Sequence, residues 1–130
     1  MFLVYDRAVA DVEPTKYVKG AASLGLGVAC KMTSGQLAKC AAADMPEYII
    51  NGPQLADGTY PVIRVLPTTV FETTSSATTA STLVGTAVQL NGTADGVTAT
   101  SGGAFVLTYT DGASGGGVVR GYFKQPVAAG

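Results

Sequence analysis

The chain has 130 residues, a formal net charge of −1, and 47% hydrophobic but only 13% charged residues, so it is too apolar for a disordered segment and long enough for one domain. Its eight basic residues form no stripe interleaved with aromatics, which argues against nucleic-acid binding. No apolar run approaches the roughly 18 residues that a membrane span needs, and with so few charges we expect partner subunits to cover part of the surface.

The first twenty residues contain several valines but no clear turn signal between them. We predict an extended arm over residues 1–20, a β-barrel-like body over residues 21–124 and a flexible tail over residues 125–130. The apolar start of the chain is too short for a signal peptide, so the sequence predicts synthesis in the cytoplasm.

Turn signals built on glycine recur at short intervals through the body, and the runs between them are rich in Val, Ile, Thr, Tyr and Phe. This spacing predicts an all-β fold, a small β-barrel or β-sandwich of short antiparallel strands with at most one short helix. The predicted strands are residues 28–32, 37–41, 48–50, 62–66, 70–74, 87–90, 96–100, 105–109 and 118–123. Residues 38–45 are also compatible with a short helix, because Leu37, Cys40 and Ala41 keep helical spacing.

The two cysteines, Cys30 and Cys40, flank a polar turn. A three-residue hairpin loop over residues 34–36 places them opposite each other on paired strands. In a reducing cytoplasm we expect two free thiols that pack as small apolar side chains. Two cysteines without histidine cannot supply the four ligands of a structural zinc site.

An internal similarity links two parts of the sequence. "LGLGVACKMTSGQLAKC" at residues 24–40 resembles "TLVGTAVQLNGTADGVTAT" at residues 82–100, because both place a glycine two residues before an alanine, then a polar turn and a second short strand. Each is followed by an aromatic-aliphatic run, at residues 48–50 and 105–107. Two interpretations stand side by side: two similar hairpins packed into one barrel, or chance similarity in a chain rich in Gly, Ala and Thr.

Several residue types that catalysis commonly uses are missing or scattered. The sequence contains no histidine, so it lacks the commonest general base near neutral pH and the usual activating partner of a cysteine nucleophile. Asp57, Asp95 and Asp111 each precede a glycine, which predicts a role in turns. The sequence therefore predicts no enzyme activity, no cofactor and no metal.

The segment "YPVIRVLPTTVFETTSSATT" at residues 60–79 carries one charged pair, Arg64 and Glu72. One interpretation makes this pair catalytic or ligand-binding, and the other places each residue on the solvent or partner face of its strand. Pro67 cannot donate to a ladder and favours a bend or edge. Residues 73–86 are rich in Ser and Thr, which predicts a partly ordered loop or exposed edge. The pattern favours the wall of a sheet over an active site.

The order of the segments carries a resemblance. "VKGAASLGLGVACKMTSGQLAKC" leads into "MPEYIINGP" and "YPVIRVLPTTVFETT", and these are followed by "VGTAVQLNGTADGVTAT" and the closing strand "GGVVRGYF". Together, over roughly residues 16–123, they resemble the small capsid decoration, or cement, proteins of tailed bacteriophages.

The resemblance implies a virion structural protein, made in the bacterial host cytoplasm, that sits on the outer capsid surface. It implies bridging of neighbouring major capsid proteins, with repeated weak contacts that sum by avidity. The expected partners are the major capsid protein and the protein itself as a homotrimer, with neither nucleic acid nor membrane. We predict that residues 1–20 and 73–86 make most contacts, so deletion of residues 2–12 weakens attachment and leaves the body folded. The candidate contact residues are Phe2, Val4, Tyr5, Val9, Val12, Tyr17, Arg64, Glu72, Thr74, Thr78 and Thr79.

Two other classes compete with this hypothesis. A receptor- or carbohydrate-binding β domain of a phage tail or fibre is the alternative, but such modules present aromatic platforms. This chain has no tryptophan, and its six tyrosines are dispersed along the sequence. A small enzyme is the third class, and it needs a pocket with convergent Asp and Lys side chains.

Overall fold

The computed structural model describes residues 1–7 and 16–124, and over these residues the chain forms eleven β-strands and one 3₁₀ helix, Ser81–Leu83. The all-β prediction is confirmed. Each of the nine predicted strands is present, with ends that shift by three residues at most. The helix considered for residues 38–45 is wrong, because the first part of that range continues a strand and the rest forms turns.

The strands form two sheets in which every neighbouring pair is antiparallel. Sheet A contains, in spatial order, β1 (Leu3–Arg7), β7 (Thr69–Thr74), β11 (Val118–Phe123), β10 (Phe105–Thr110), β8 (Ala87–Leu90) and β9 (Val97–Ser101). Sheet B contains β2 (Lys16–Lys19), β6 (Thr59–Arg64), β5 (Tyr48–Ile50), β3 (Ala29–Thr33) and β4 (Gln36–Lys39). One cluster of buried apolar side chains joins the two sheets.

The two sheets repeat one topology. Apart from β1, sheet A has the order β7-β11-β10-β8-β9 and sheet B the order β2-β6-β5-β3-β4, so each takes the first, fifth, fourth, second and third strand of its half of the chain. Each is also bridged across its ends by one parallel pair, Gly20 with Leu37 in sheet B and Ser75 with Val97 in sheet A. Because each end-to-end contact is a single bridge, neither sheet closes into a barrel.

The strand registers repeat as well. Cys30 pairs with Tyr48 in sheet B, and Val88 pairs with Phe105 at the corresponding place in sheet A. The similarity of residues 24–40 to residues 82–100 is therefore structural and not a chance match. The expected packing of both hairpins into one barrel is wrong, because they lie in different sheets.

The hairpin between β3 and β4 turns on two residues where the sequence predicted a loop of three. Ser34 and Gly35 both have positive φ, 51° and 81°, which is the pattern of a type I′ turn. The shorter loop shifts the register by one, so Cys30 lies opposite Lys39 and not opposite Cys40. Both cysteines are free and buried, and burial raises the pKa of Cys30 to about 11 and that of Cys40 to about 12.

The predicted arm over residues 1–20 is wrong across its described part. β1 pairs with β7 and β2 pairs with β6, so both segments are strands of the body. Phe2, a candidate contact residue, is only 3% exposed. The candidates Val9 and Val12 and the predicted tail over residues 125–130 lie outside the described residues.

All four phenylalanines of the chain meet in one cluster under sheet A. The ring of Phe2 lies 5.3 Å from that of Phe123, 5.5 Å from Phe105 and 6.3 Å from Phe71, centroid to centroid, in tilted or edge-to-face geometry. Such pairs add to the free energy gained by burying the rings. The backbone N–H of Phe2 also donates to the carbonyl oxygen of Gly27 at 3.0 Å. The cluster therefore fixes the start of β1 against the core.

Turn aspartates hold several of the connections between strands. Oδ1 of Asp57 accepts hydrogen bonds from the hydroxyl and backbone N–H of Thr59, at 2.6 and 3.0 Å. The carboxylate of Asp111 accepts from the backbone N–H groups of Ala113 and Val118, at 3.0 and 3.1 Å. These bonds stabilise the ionised carboxylates and hold both pKa values below the ordinary 3.8. The sequence prediction for these turns is confirmed.

Replacing Phe2 by alanine is expected to lower the free energy of unfolding by about 3–5 kcal/mol, because the change removes a ring from a packed cluster. Urea denaturation monitored by tyrosine fluorescence measures this loss. Leu3→Ala is the matched control, since Leu3 is exposed and should change the stability little. Equal effects of the two substitutions contradict the assignment of Phe2 to the core.

Acid is expected to destabilise the fold through the turn aspartates. Their folded pKa values lie below 3.8, so the unfolded state binds more protons, and the stability present above that pH is lost as the pH falls through the folded pKa values. The melting temperature should therefore fall between about pH 5 and pH 2, and less steeply in Asp111→Asn. A melting temperature that stays constant over this range, or an unchanged slope in the variant, contradicts this account.

Candidate interaction surface

The outer face of sheet A carries charged and aromatic side chains from neighbouring strands. Arg120 of β11 pairs with Glu72 of β7 on one side and with Tyr109 of β10 on the other. Successive side chains of a strand point to opposite faces, and Val119 and Phe123 of β11 are buried in the core. The side chain of Arg120 therefore points away from the core.

Arg120 is held between two tyrosine rings. Its guanidinium carbon lies 4.0 Å from the ring centroid of Tyr5 and 4.5 Å from that of Tyr109. Its Nε donates to Oε2 of Glu72 at 2.9 Å. These four residues, Tyr5, Glu72, Tyr109 and Arg120, are called the Tyr-Arg cluster below. The guanidinium is attracted by both rings and by one carboxylate, so it is fixed in place before any partner arrives.

The rings of the Tyr-Arg cluster remain accessible although they contact Arg120. Tyr5 is 53% exposed and Tyr109 is 41% exposed. Leu3, which pairs with Glu72 across β1 and β7, is exposed as well. Tyrosine and arginine are among the residue types that are enriched at protein interfaces.

Two β-bulges position the tyrosines. The ladder between β1 and β7 shifts register between Val4 and Asp6, at Tyr5. The ladder between β10 and β11 shifts between Leu107 and Tyr109. A bulge bends its strand and re-aims the neighbouring side chain. The two rings that face Arg120 thus come from places where the sheet departs from regular pairing.

The charged pair predicted from the sequence does not form. Arg64 ends β6 in sheet B and is exposed, whereas Glu72 lies in sheet A and binds Arg120. Arg64 lies beside an open groove of about 330 Å³ that also contains Glu47 and Tyr48. Arg120 could not be predicted as the partner of Glu72, because 48 residues separate the two and they meet only through strand pairing.

The candidate contact residues divide by exposure. Phe2 and Thr79 are 3% and 2% exposed, so their prediction as contact residues is wrong. Val4 is exposed on β1, and Tyr17 is exposed on β2 of the other sheet. Thr74, Thr78 and Arg64 are exposed but lie outside the Tyr-Arg cluster.

The Ser/Thr-rich segment over residues 73–86 is more closely tied to the body than the sequence predicted. The hydroxyl of Thr79 donates to Oγ of Ser75 at 2.7 Å, and both residues are buried. The hydroxyl of Thr110 donates to the carbonyl oxygen of Thr79 at 2.8 Å. Oγ1 of Thr78 accepts from the backbone N–H of Gly115 at 2.7 Å. Several of these hydroxyls therefore bind the body and do not point to a partner.

Over residues 1–7 and 16–124, no three histidine, cysteine or acidic side chains come together in a way that could hold a metal ion. No helix in this part of the chain has the length and apolar character to cross a membrane. Comparisons with protein-family models, with curated proteins and with solved structures found no significant match to this chain. The Tyr-Arg cluster is the candidate interaction surface of the described residues.

Arg120→Lys is expected to lower the free energy of unfolding by about 1 kcal/mol, because lysine keeps the charge but loses the planar contact with both rings. Arg64→Lys is the matched control, and for this exposed arginine we expect a change within about 0.5 kcal/mol. Chemical denaturation of both variants measures the difference. If Arg120→Lys is as mild as Arg64→Lys, the stacked geometry contributes nothing to stability.

Proposed function

We propose that this protein decorates the outer surface of a tailed-bacteriophage capsid, where it bridges neighbouring major capsid proteins and stabilises the shell. The observation that carries the proposal is the Tyr-Arg cluster, an exposed and pre-arranged set of interface residues on one face of a sheet. The resemblance of the segment order over residues 16–123 to decoration proteins supports the choice of the major capsid protein as the partner.

The Tyr-Arg cluster suits contact with a protein. Tyrosine and arginine are enriched among the residues that carry most of the binding energy at interfaces. Binding normally costs side-chain entropy, but Arg120 is already held by Glu72 and by two rings, so little freedom is left to lose. A surface of this kind can bind without rearranging.

The body behind the Tyr-Arg cluster suits a clamp. The strands that carry the cluster are β1, β7, β10 and β11, and the last three each contribute a phenylalanine to the aromatic cluster beneath it. A close-packed interior transmits strain with little deformation. When many copies bind a symmetric shell, individually weak contacts of this kind sum to firm attachment.

A second candidate function is carbohydrate or receptor binding by a phage tail or fibre, and one observation favours it. Tyr5 and Tyr109, which are far apart in the sequence, come together on one exposed face. However, each ring has one side occupied by Arg120, which reduces the flat surface left for a sugar ring. The arrangement therefore favours a protein partner.

Tyr109→Ser is expected to weaken binding to capsid shells stripped of this protein by roughly 10- to 30-fold, as loss of an interface hot spot does. Sedimentation of labelled protein with shells gives the affinity. Leu55→Ser is the matched control, because Leu55 is 43% exposed and lies outside the Tyr-Arg cluster. If the two variants bind shells equally well, the Tyr-Arg cluster is not part of the interface.

The same purified protein tested on a glycan array separates the two candidate functions. The decoration proposal predicts binding to shells and none to glycans. Saturable glycan binding that Tyr109→Ser abolishes, with no binding to shells, contradicts the decoration proposal and supports the second candidate.

A further inference from the structure

The repeated topology has one exception, and it lies at the sheet edges. In sheet A, the outer edge of β7 pairs with β1. The counterpart of β7 in sheet B is β2, and no strand within residues 1–7 and 16–124 pairs along its outer edge. The outer edge of β1 likewise pairs with no strand in that part of the chain.

The other two terminal strands are placed differently. β4 is bridged to the residue that follows β2, through Leu37 and Gly20. β9 is bridged to the residue that follows β7, through Val97 and Ser75. Each bridge involves a single residue, so the outer edges of β4 and β9 are otherwise unpaired within the described residues as well. β2 differs because its counterpart β7 already carries an added strand, β1, on that edge. An unpaired edge is a template for another strand.

We propose that β1 of one copy of this protein pairs antiparallel with β2 of a second copy, so that sheet A of the first continues into sheet B of the second. The chain itself contains the precedent, because β1 is the strand that adds to β7, the counterpart of β2. The occupant of the β2 edge is therefore a second copy of this chain.

The side chains of the two strands complement each other. Tyr5 on β1 is 53% exposed and Tyr17 on β2 is 59% exposed, which makes them the most exposed tyrosines in the described residues. An antiparallel alignment that places Asp6 opposite Lys16 brings Tyr5, the bulge residue of β1, next to Tyr17. Aromatic and opposite-charge pairs across strands each contribute roughly 0.2–1 kcal/mol.

The lysines of β2 select the partner edge. Lysine on an edge strand usually prevents edge-to-edge association. Two β2 strands paired antiparallel would bring Lys16 of one copy close to Lys19 of the other, and like charges in that position repel. β1 carries one acidic and one basic residue, Asp6 and Arg7, so it is neutral and lacks the double positive charge of β2. With Asp6 opposite Lys16, the charges disfavour β2 with β2 more than β2 with β1.

The contact joins two unlike edges, so every copy can use both of its edges at once. Contacts of this type build a closed ring when the rotation between copies closes. The homotrimer expected alongside the resemblance to decoration proteins is one such ring. The inference does not depend on capsid binding, because every species in its test is a copy of this chain.

Cysteine cross-linking tests the pairing directly. Asp6→Cys and Lys16→Cys are prepared separately, mixed and oxidised mildly, so that any bond between the new thiols joins two copies. Directly opposed residues bring their Cβ atoms close to the distance of a disulfide. Cys30 and Cys40 are buried with raised pKa values and should not react. We expect the mixture to form disulfide dimers in large excess over either variant alone, and equal yields overturn the proposal.

Charge reversal provides the second test. Sedimentation of the unmodified protein should show a concentration-dependent oligomer, Lys16→Glu should weaken it about 3- to 10-fold, and Asp6→Lys combined with Lys16→Glu should restore it. Lys124→Glu, at an exposed lysine just after β11, is the control and should associate normally. The proposal is overturned if the protein stays monomeric at every concentration, or if these substitutions leave the association of the oligomer unchanged.

Discussion

The burial of Phe2 among Phe71, Phe105 and Phe123 is the contact on which the outer surface of sheet A depends. Phe2 directly precedes β1, and its ring packs into the core and so holds the start of this strand. With Phe2 fixed, β1 pairs along β7, and the bulge at Tyr5 brings that ring over Arg120. The core and the Tyr-Arg cluster on opposite faces of the sheet are therefore coupled through one short strand. Phe2 was expected to contact a partner, but it is buried and instead helps to position Tyr5 in the Tyr-Arg cluster.

The duplication of the five-stranded unit gives the second organising feature. Two halves of the chain adopt the same strand order and corresponding strand pairs. Short hairpins of this size are marginal alone, and a shared core of buried side chains makes them stable together. β1 breaks the repeat because it extends only one of the two sheets. That asymmetry gives the molecule two unlike edges and one face with an aromatic cluster.

Much of the fold could be predicted from the sequence because turns have short, local sequence signatures. Asp57 and Asp111 bind backbone groups close to them in the chain or across one hairpin, so Asp-Gly alone indicates their role. The similarity of residues 24–40 to residues 82–100 could also be recognised, because it too lies in short local patterns of glycine, alanine and turn residues. β1 and β2 were missed because β1 has no alternating pattern of apolar and polar residues, and β2 is short with a lysine at each end.

The candidate surface could be predicted only in part. Tyr5 and Glu72 were identified, but their common partner Arg120 was not, because no local pattern reports which strands become neighbours. Thr79 was misplaced because a hydroxyl side chain looks polar in the sequence, whereas Ser75 and Thr79 satisfy one another's hydrogen bonds and can be buried.

Electron cryo-microscopy of virions, compared with particles stripped of this protein, tests the central claim most directly. The account predicts density on the outside of the shell into which the two-sheet body fits, with Tyr5, Tyr109 and Arg120 against the major capsid protein. Particles that never carry the protein, or a reconstruction in which this face of sheet A points into solvent and another surface makes the contact, would contradict it.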